Sequence, residues 1–368
     1  MSGSTEASVQ RLQVSVYTVP TETNLESDGT AVWNSTTMVL VEATAGGVTG
    51  LGYTYSAKAA AEIIRETLAP LVVGGDAMRV KWHWLKMLHA VRNLGPQGVA
   101  SMAVAAVDNA LWDLKARLLG LPLCDLLGRL HDRMPVYGSG GFTNYSLGEL
   151  ERHCATWAEK GYRKVKIKVG RVPADDPARV LAARRAIGPS VELYTDANGA
   201  YARKQALGLI SVFHREAGVI WFEEPVTSDD LPGLRLIRDQ GPPGVDVAAG
   251  EYGYSADYFR AMLEQGAVDV IQADATRCAG ISGFMDAAAL SWSFDVPLSS
   301  HCAPAQHLHP CAAAGKLRHL EFFYDHLRIE RLFFDGAPVV QDGFCAPDLT
   351  RPGLGLELKR QDAARFAV

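Results

Sequence analysis

From about position 135 the chain alternates strand-like and helix-like runs eight times. The strand-like runs lie near Val136, at Lys164–Val169 and Val191–Thr195, from Val219, from Val245, and at Val268–Gln272, Pro297–Ser299 and Leu320–Phe323. Helical patterning fills the intervals. This alternation predicts a parallel sheet. Eight units predict closure into a barrel whose active site lies at the C-terminal ends of the strands. The first, seventh and eighth strands are expected to be short.

The rest of the chain reads differently. Leu12–Tyr17, Thr36–Glu42 and Val48–Tyr55 predict a small antiparallel sheet, with a largely polar loop over 21–34 and a permissive glycine at Gly52. Helices are expected over 58–69, ending at Pro70, and over 82–91 and 98–118. The small residues of the last allow close packing. Residues 1–10 are expected to be disordered. After about 327 the repeat stops. Leu354, Leu356 and Leu358 alternate as a leftover strand would, so the tail is expected to return to the N-terminal region. The predicted division is a cap over 1–130, a barrel over 131–327 and a returning segment over 328–368.

A formal net charge of -5 supplies no basic patch for nucleic acid. No run is long and apolar enough to span a membrane, and no signal peptide is recognisable. Six widely spaced cysteines suit a reducing compartment, so a cytoplasmic location is expected.

Three strand-like runs stop at carboxylates: Asp196, Glu223 and Glu251, 27 and 28 positions apart. One strand, one helix and their loops take about that many residues. Three carboxylates at one end of neighbouring parallel strands predict a site for Mg²⁺, with Mn²⁺ the next match. No Cys or His cluster competes as a zinc site. Glu224, pointing away from Glu223 in a regular strand, is expected behind the ligands. Asn198 reads either as a substrate contact or as part of a turn ahead of Gly199.

Strand alternation puts Lys166 and Lys168 on one face, where an inward lysine must be paired or active. Lys166 is expected to lower the proton affinity of Lys168, making it a base. Asp274 and His301 end adjacent strands. A carboxylate there would fix the imidazole tautomer and favour its charged form, as a general acid/base requires. Lys168 and His301 would then address opposite faces of an α-carbon. Glu321, ending the eighth strand, could donate a hydrogen bond if protonated. Arg277 and Cys278 are given no catalytic role, though Arg277 can pair with an acid nearby, and His307 and His309 are expected to stand behind the site or to be structural.

At Lys166-Ile-Lys168, Asp196-Ala-Asn198, Trp221-Phe-Glu-Glu-Pro225, Gly250-Glu251, Asp274, His301 and Glu321 the sequence resembles the enolase superfamily, and within it the mandelate racemase subgroup. The resemblance implies a modified (β/α)7β barrel under an α+β capping domain, with the last strand feeding the cap. It implies Mg²⁺ on Asp196, Glu223 and Glu251. Lys168 and the His301–Asp274 pair become the acid/base groups, Lys166 an electrostatic neighbour and Glu321 an electrophilic partner. The implied substrate is a small carboxylate, and a homo-oligomer is implied. Many subgroup members dehydrate acid sugars to 2-keto-3-deoxy acids. A racemase or epimerase, and a cycloisomerase or lactonising enzyme, are alternatives, and a non-catalytic scaffold is the rival of another class. Asp28, Trp33, Asn34, Tyr53, Tyr55 and Asn144 are candidate substrate contacts. Their polarity favours a hydroxylated substrate.

Overall fold

The structure, a computed structural model, describes residues 7–23 and 25–368. Eight parallel strands close into a barrel: Met134–Gly140, Lys164–Lys168, Glu192–Asp196, Val219–Glu223, Asp246–Ala249, Val270–Ala273, Leu298–Ser300 and Leu317–Phe323. The last pairs with the first, Glu321 lying beside Tyr137. Only the seventh strand is as short as expected, at 3 residues. The first and eighth have 7 each. Glycines and charged residues hid their length, but their neighbours on both sides supply a full ladder.

Tyr137, Tyr194 and Trp221 form a buried aromatic layer inside the barrel, with Tyr194 and Trp221 stacked at 5.3 Å. The lysine stem of Lys166 stands on this layer, its Nζ 5.3 Å from the Tyr137 ring. The floor is thus packed solid, and polar chemistry is confined to the mouth.

The cap begins with the antiparallel strands Arg11–Pro20, Ser35–Ala45 and Val48–Tyr55. Gly50 and Gly52 serve closeness rather than a turn. A Cβ on either would lie within 2.3 Å of the backbone of the helix Val99–Leu118. The 21–34 segment holds a short hairpin, Glu26–Ser27 against Val32–Trp33, that the polar composition did not announce. Of the N-terminal stretch expected to be disordered, residues 1–6 lie outside the described residues. Val9 is buried, and its N–H donates to the Gly75 carbonyl at 2.8 Å.

The first cap helix runs past Pro70. It comprises Ala59–Ile63, a π-helical stretch Ile64–Leu68, and Ala69–Val72. The Ala69 N–H reaches back to Ile64, so Pro70, which has no N–H, falls at the start of the final turn, where none is needed.

Helix Val99–Leu118 joins cap to barrel. Asp108 accepts from the Ser282 N–H at 2.8 Å, and Asn109 accepts from the Ile281 N–H at 2.9 Å. These side chains cap the barrel helix Ile281–Ser293 from outside. After the eighth strand a helix spans Tyr324–Phe333, so a boundary at 327 falls inside it. The tail then folds on itself, Glu357–Leu358 pairing with Phe334–Asp335, and reaches the first cap strand, where the Thr18 N–H donates to the Phe366 carbonyl.

Candidate active site and metal centre

Asp196, Glu223 and Glu251 stand where expected, at or just beyond the ends of neighbouring strands. All three are buried, and one oxygen from each lies within 4.8 Å of the others. The Trp221 indole N–H donates to Glu223 Oε2 at 3.0 Å and fixes that carboxylate. Burial and the Asp196 charge push Glu223 up to about 8. Burial and the charges of Glu251 and Asp196 hold Glu224 far above the usual carboxylate range, and its Oε1 has no hydrogen-bond partner. The donors of Asp196, Glu223 and Glu251 are all hard oxygens, which fits Mg²⁺ or Mn²⁺.

Both lysines point inward. Lys166 Nζ lies 2.5 Å from Glu223 Oε1, 2.8 Å from Glu321 Oε1 and 3.5 Å from Asp196 Oδ2. Lys168 Nζ lies 2.5 Å from Asp196 Oδ2. Two expectations are corrected here. Burial and Lys166 do disfavour the Lys168 ammonium, but Asp196 outweighs them and holds Lys168 above its ordinary value. Burial likewise works to protonate Glu321, but the Lys166 ammonium wins and keeps it a carboxylate. As it stands, Glu321 accepts hydrogen bonds, one of them from the Cys302 N–H at 2.8 Å.

On the opposite side of the mouth, His301 Nδ1 meets Asp274 Oδ2 at 2.8 Å, and Nε2 lies 3.2 Å from Glu251 Oε2. Asp274 is oriented in turn by the Thr276 N–H and hydroxyl, each at 2.7 Å. Burial disfavours the imidazolium, yet Cys302, Glu251 and Asp274 raise His301 well above its ordinary value. Arg277, given no role from sequence, donates to Glu251 Oε1 at 3.2 Å. His307 stands behind the dyad, its Nε2 accepting from the Ala275 N–H at 2.7 Å and lying 3.5 Å from Asp274 Oδ1. His309 likewise accepts from the Cys124 N–H at 3.2 Å.

Above these groups lies a cavity of about 440 Å³, lined from the barrel by Lys168, Glu251 and His301 and from the cap by Asp28, Trp33 and Tyr55. Asn198 also lines it, with φ 46° and its own N–H donated to Asp196 Oδ1 at 2.9 Å, so it is both turn residue and wall. Asn34 does not reach the cavity. It is exposed at the hairpin base, its carbonyl accepting from the Thr21 N–H. Tyr53 is core: its hydroxyl donates to Glu330 at 2.6 Å and its ring stacks on Phe334. It shares a strand face with Tyr55 but lies one step deeper, under the tail. Asn144 braces the hairpin, accepting from the Ser27 N–H at 3.1 Å.

Glu224 is not in a regular strand. Its φ of 37° ends the strand and turns the carboxyl toward a neighbouring cavity of about 460 Å³ that also touches Asn198 and Tyr252. Tyr252, Cys302 and His326 line the main cavity and were missed. Cys302 and Ala303 have φ of 50° and 39°, and this turn brings Cys302 beside His301. Strand alternation would have separated them. His326 sits under the Tyr55 ring at 3.5 Å and carries no sequence pattern that marks it.

Residues 149–363 match the enolase C-terminal domain-like family, and residues 8–128 match the mandelate racemase / muconate lactonizing enzyme N-terminal domain. The chain belongs to the mandelate racemase / muconate lactonizing enzyme group of the enolase superfamily. A mandelate racemase/muconate lactonizing enzyme-like protein from Rubrobacter xylanophilus has the same fold, with a TM-score of 0.96 at 53% identity, over 98% of this chain and 100% of that one. The chain is also similar to the 3,6-anhydro-alpha-L-galactonate cycloisomerase of Streptomyces coelicolor, 29% identical over 98% of this chain and 99% of its own length. The L-talarate/galactarate dehydratase of Salmonella typhimurium is 31% identical over 86% of this chain and 78% of its own. A structure of that dehydratase with Mg and L-lyxarohydroxamate has a TM-score of 0.89 to this chain at 28% identity, covering 98% of this chain and 93% of that one.

Proposed function

We propose that the chain is a Mg²⁺-dependent lyase of an acid sugar, an aldonate or aldarate. It removes the proton α to the carboxylate and expels the β-hydroxyl, giving a 2-keto-3-deoxy acid. The observation that carries this reading is the placement of two proton-transfer groups against one acidic cluster. Lys168 lies 2.5 Å from Asp196 and His301 lies 3.2 Å from Glu251, on opposite sides of the mouth.

In this reading Asp196, Glu223 and Glu251 hold the ion. When bound there, it draws charge from the substrate carboxylate and from Asp196, acidifying the α-proton and loosening the attraction that keeps Lys168 charged. Lys168, as the free amine, takes the α-proton. His301, held as an imidazolium by Asp274, hands its Nε2 proton to the departing β-oxygen. Lys166 places a buried positive charge beneath the site, balanced by Glu321. Trp33, Tyr55 and Asn198 border the distal end of the substrate, and Glu224 stands behind the ligands. Incubation with Mg²⁺ and a broad panel of aldonates and aldarates should yield a 2-keto-3-deoxy acid from at least one. No such product across the panel overturns the reading.

A second reading rests on the cycloisomerase relative, which spans 99% of its own length in the match. A substrate whose β-oxygen belongs to a ring would be opened by the same elimination without releasing water. Including anhydro-sugar acids in the panel separates the two, since only one product has lost water. The proposed assembly is a cytoplasmic homo-oligomer. All six cysteines are free, which accords with a reducing compartment. Among the described residues no helix is long and apolar enough to cross a membrane. Sedimentation as a monomer would remove the oligomer from the proposal.

A further inference from the structure

A second group of metal-ligating atoms sits beside the carboxylate cluster, with a different chemistry. His301 Nε2, Cys302 Sγ and a Glu321 oxygen all lie within 4.8 Å of one another, and all three residues are buried. The sulfur is 3.1 Å from Nε2. In a tetrahedral zinc site, ligand atoms at their usual bond lengths sit roughly 3.5 Å apart. The His–Cys edge already has that scale, and the Glu321 carboxylate, which now meets Lys166 Nζ at 2.8 Å and the Cys302 N–H at 2.8 Å, must turn from one of these to complete the set. The left-handed turn at Cys302 and Ala303 puts these neighbours on one side of the chain, and the Cys302 N–H holds Glu321 in place at 2.8 Å. His301 and Cys302 both line the open cavity, so an ion has a route in and solvent can supply a fourth ligand.

We propose that His301, Cys302 and Glu321 form a second, inhibitory metal site selective for a soft or borderline divalent ion such as Zn²⁺. The donor set of one nitrogen, one sulfur and one oxygen discriminates against Mg²⁺, which prefers the all-oxygen cluster of Asp196, Glu223 and Glu251. The two ions are therefore held by different residues, in sites that adjoin where His301 Nε2 lies 3.2 Å from Glu251 Oε2. On zinc binding the Cys302 thiol and the His301 imidazolium each release a proton to solvent, the sulfur forming a Zn–S bond and the freed Nε2 lone pair a Zn–N bond. His301 then has no proton on Nε2 to donate, and turnover stops although the first site remains filled. The inhibition, though not the binding, rests on the role proposed for His301.

The test is Co²⁺ titration of the full chain saturated with Mg²⁺, in the absence of substrate. Wild type should develop the near-ultraviolet thiolate-to-cobalt charge-transfer band, which an all-oxygen site cannot produce. Cys302→Ser should lose the band and bind Zn²⁺ at least about tenfold more weakly, a loss no smaller than that seen when a mere supporting residue of a metal site is removed. His301→Asn, which keeps the thiol, should also weaken Zn²⁺ by at least about tenfold and serves as the arm if Cys302→Ser fails to fold. No charge-transfer band in Mg²⁺-saturated wild type overturns the proposal. So does unchanged Zn²⁺ affinity in either folded variant. Because binding is read without turnover, failure here leaves the lyase reading standing, and failure of the acid-sugar panel leaves this one.

Discussion

His301 and Lys168 divide the proposed work, and each is held by carboxylates: Asp274 at 2.8 Å from His301 Nδ1 with Glu251 at 3.2 Å from its Nε2, and Asp196 at 2.5 Å from Lys168 Nζ. If Lys168 removes the α-proton and His301 only protonates the leaving oxygen, the two steps should separate. His301→Asn is expected to lower elimination by about 10²–10⁴-fold. It should still exchange the substrate α-proton for deuterium in D₂O, read by NMR. Full elimination by this variant would show that another group is the acid. Asp274 gives a pH test whose sign is fixed. Burial works to lower His301, and its carboxylate partners raise it. Taking away the Asp274 charge must lower the histidine's proton affinity. The acid form is needed for turnover, so the alkaline limb of the kcat/KM profile in Asp274→Asn should move to lower pH. An unmoved limb would mean that His301 does not set it.

At the scale of the element, the Glu26–Trp33 hairpin walls the cavity from the cap through Asp28, Ala31 and Trp33. The Trp33 indole N–H faces two carboxyls, Glu26 Oε2 at 3.2 Å and Asp325 Oδ2 at 3.4 Å, one from the cap and one from the helix after the eighth strand. Both are fully buried. Burial, and then Asp325, push Glu26 up to about 9, so one proton is held where two charges would repel. The sign follows by linkage. The folded chain binds this proton between the ordinary carboxylate range and about pH 9, while the unfolded chain has lost it, so this contribution to stability falls as pH rises across that window. Glu26→Gln removes the titration and keeps the size. It should raise Tm relative to wild type at pH 8 and gain less at pH 5, by differential scanning calorimetry. Equal gains at both would show that Glu26 is not carrying the proton. This hairpin is also where sequence reading ran out. Trp33, Asn34, Tyr53 and Tyr55 were candidates on polarity and aromatic character alone, yet only Trp33 and Tyr55 line the cavity. Which of them do so is set by how the cap sits on the barrel, through contacts such as Trp33 with Asp325, 292 positions apart. No local pattern encodes that separation.

At the scale of the whole molecule, the barrel was legible because strand and helix each carry their own hydrophobic period, and the last residue of a strand is fixed at the mouth. Asp196 and Glu223 end their strands, and Glu251 follows the end of its own by two positions. The left-handed turns at Glu224 and Cys302 were not legible, since nothing but tertiary packing holds such φ values in those residue types. The same holds for Asp113, which sat unremarked in an apolar helix. Its Oδ2 accepts from the Leu51 N–H and the Arg117 guanidinium, each at 2.7 Å, and its Oδ1 accepts from the Leu354 N–H at 2.6 Å. One fully buried carboxylate thus ties together the cap sheet, the cap helix and the returning tail. Asp113→Ala leaves the Arg117 Nε–H and two backbone N–H groups without their acceptor, while the rest of the guanidinium keeps Glu357 and the Leu356 carbonyl. Breaking a buried pair from one side costs about 3–5 kcal/mol. The pair of Arg360 with Glu42 also joins tail to cap. Glu42 is buried there, but the Arg360 side chain is mostly in water, so Arg360→Ala should cost less, about 1 kcal/mol. Urea midpoints at constant slope would measure both. If the tail is fastened through Asp113, that variant alone should also become sensitive to brief proteolysis near Leu354. Equal costs for the two substitutions would instead mean that the tail is held by its apolar side chains, Leu354 and Leu356, and that the carboxylate only fills a buried gap.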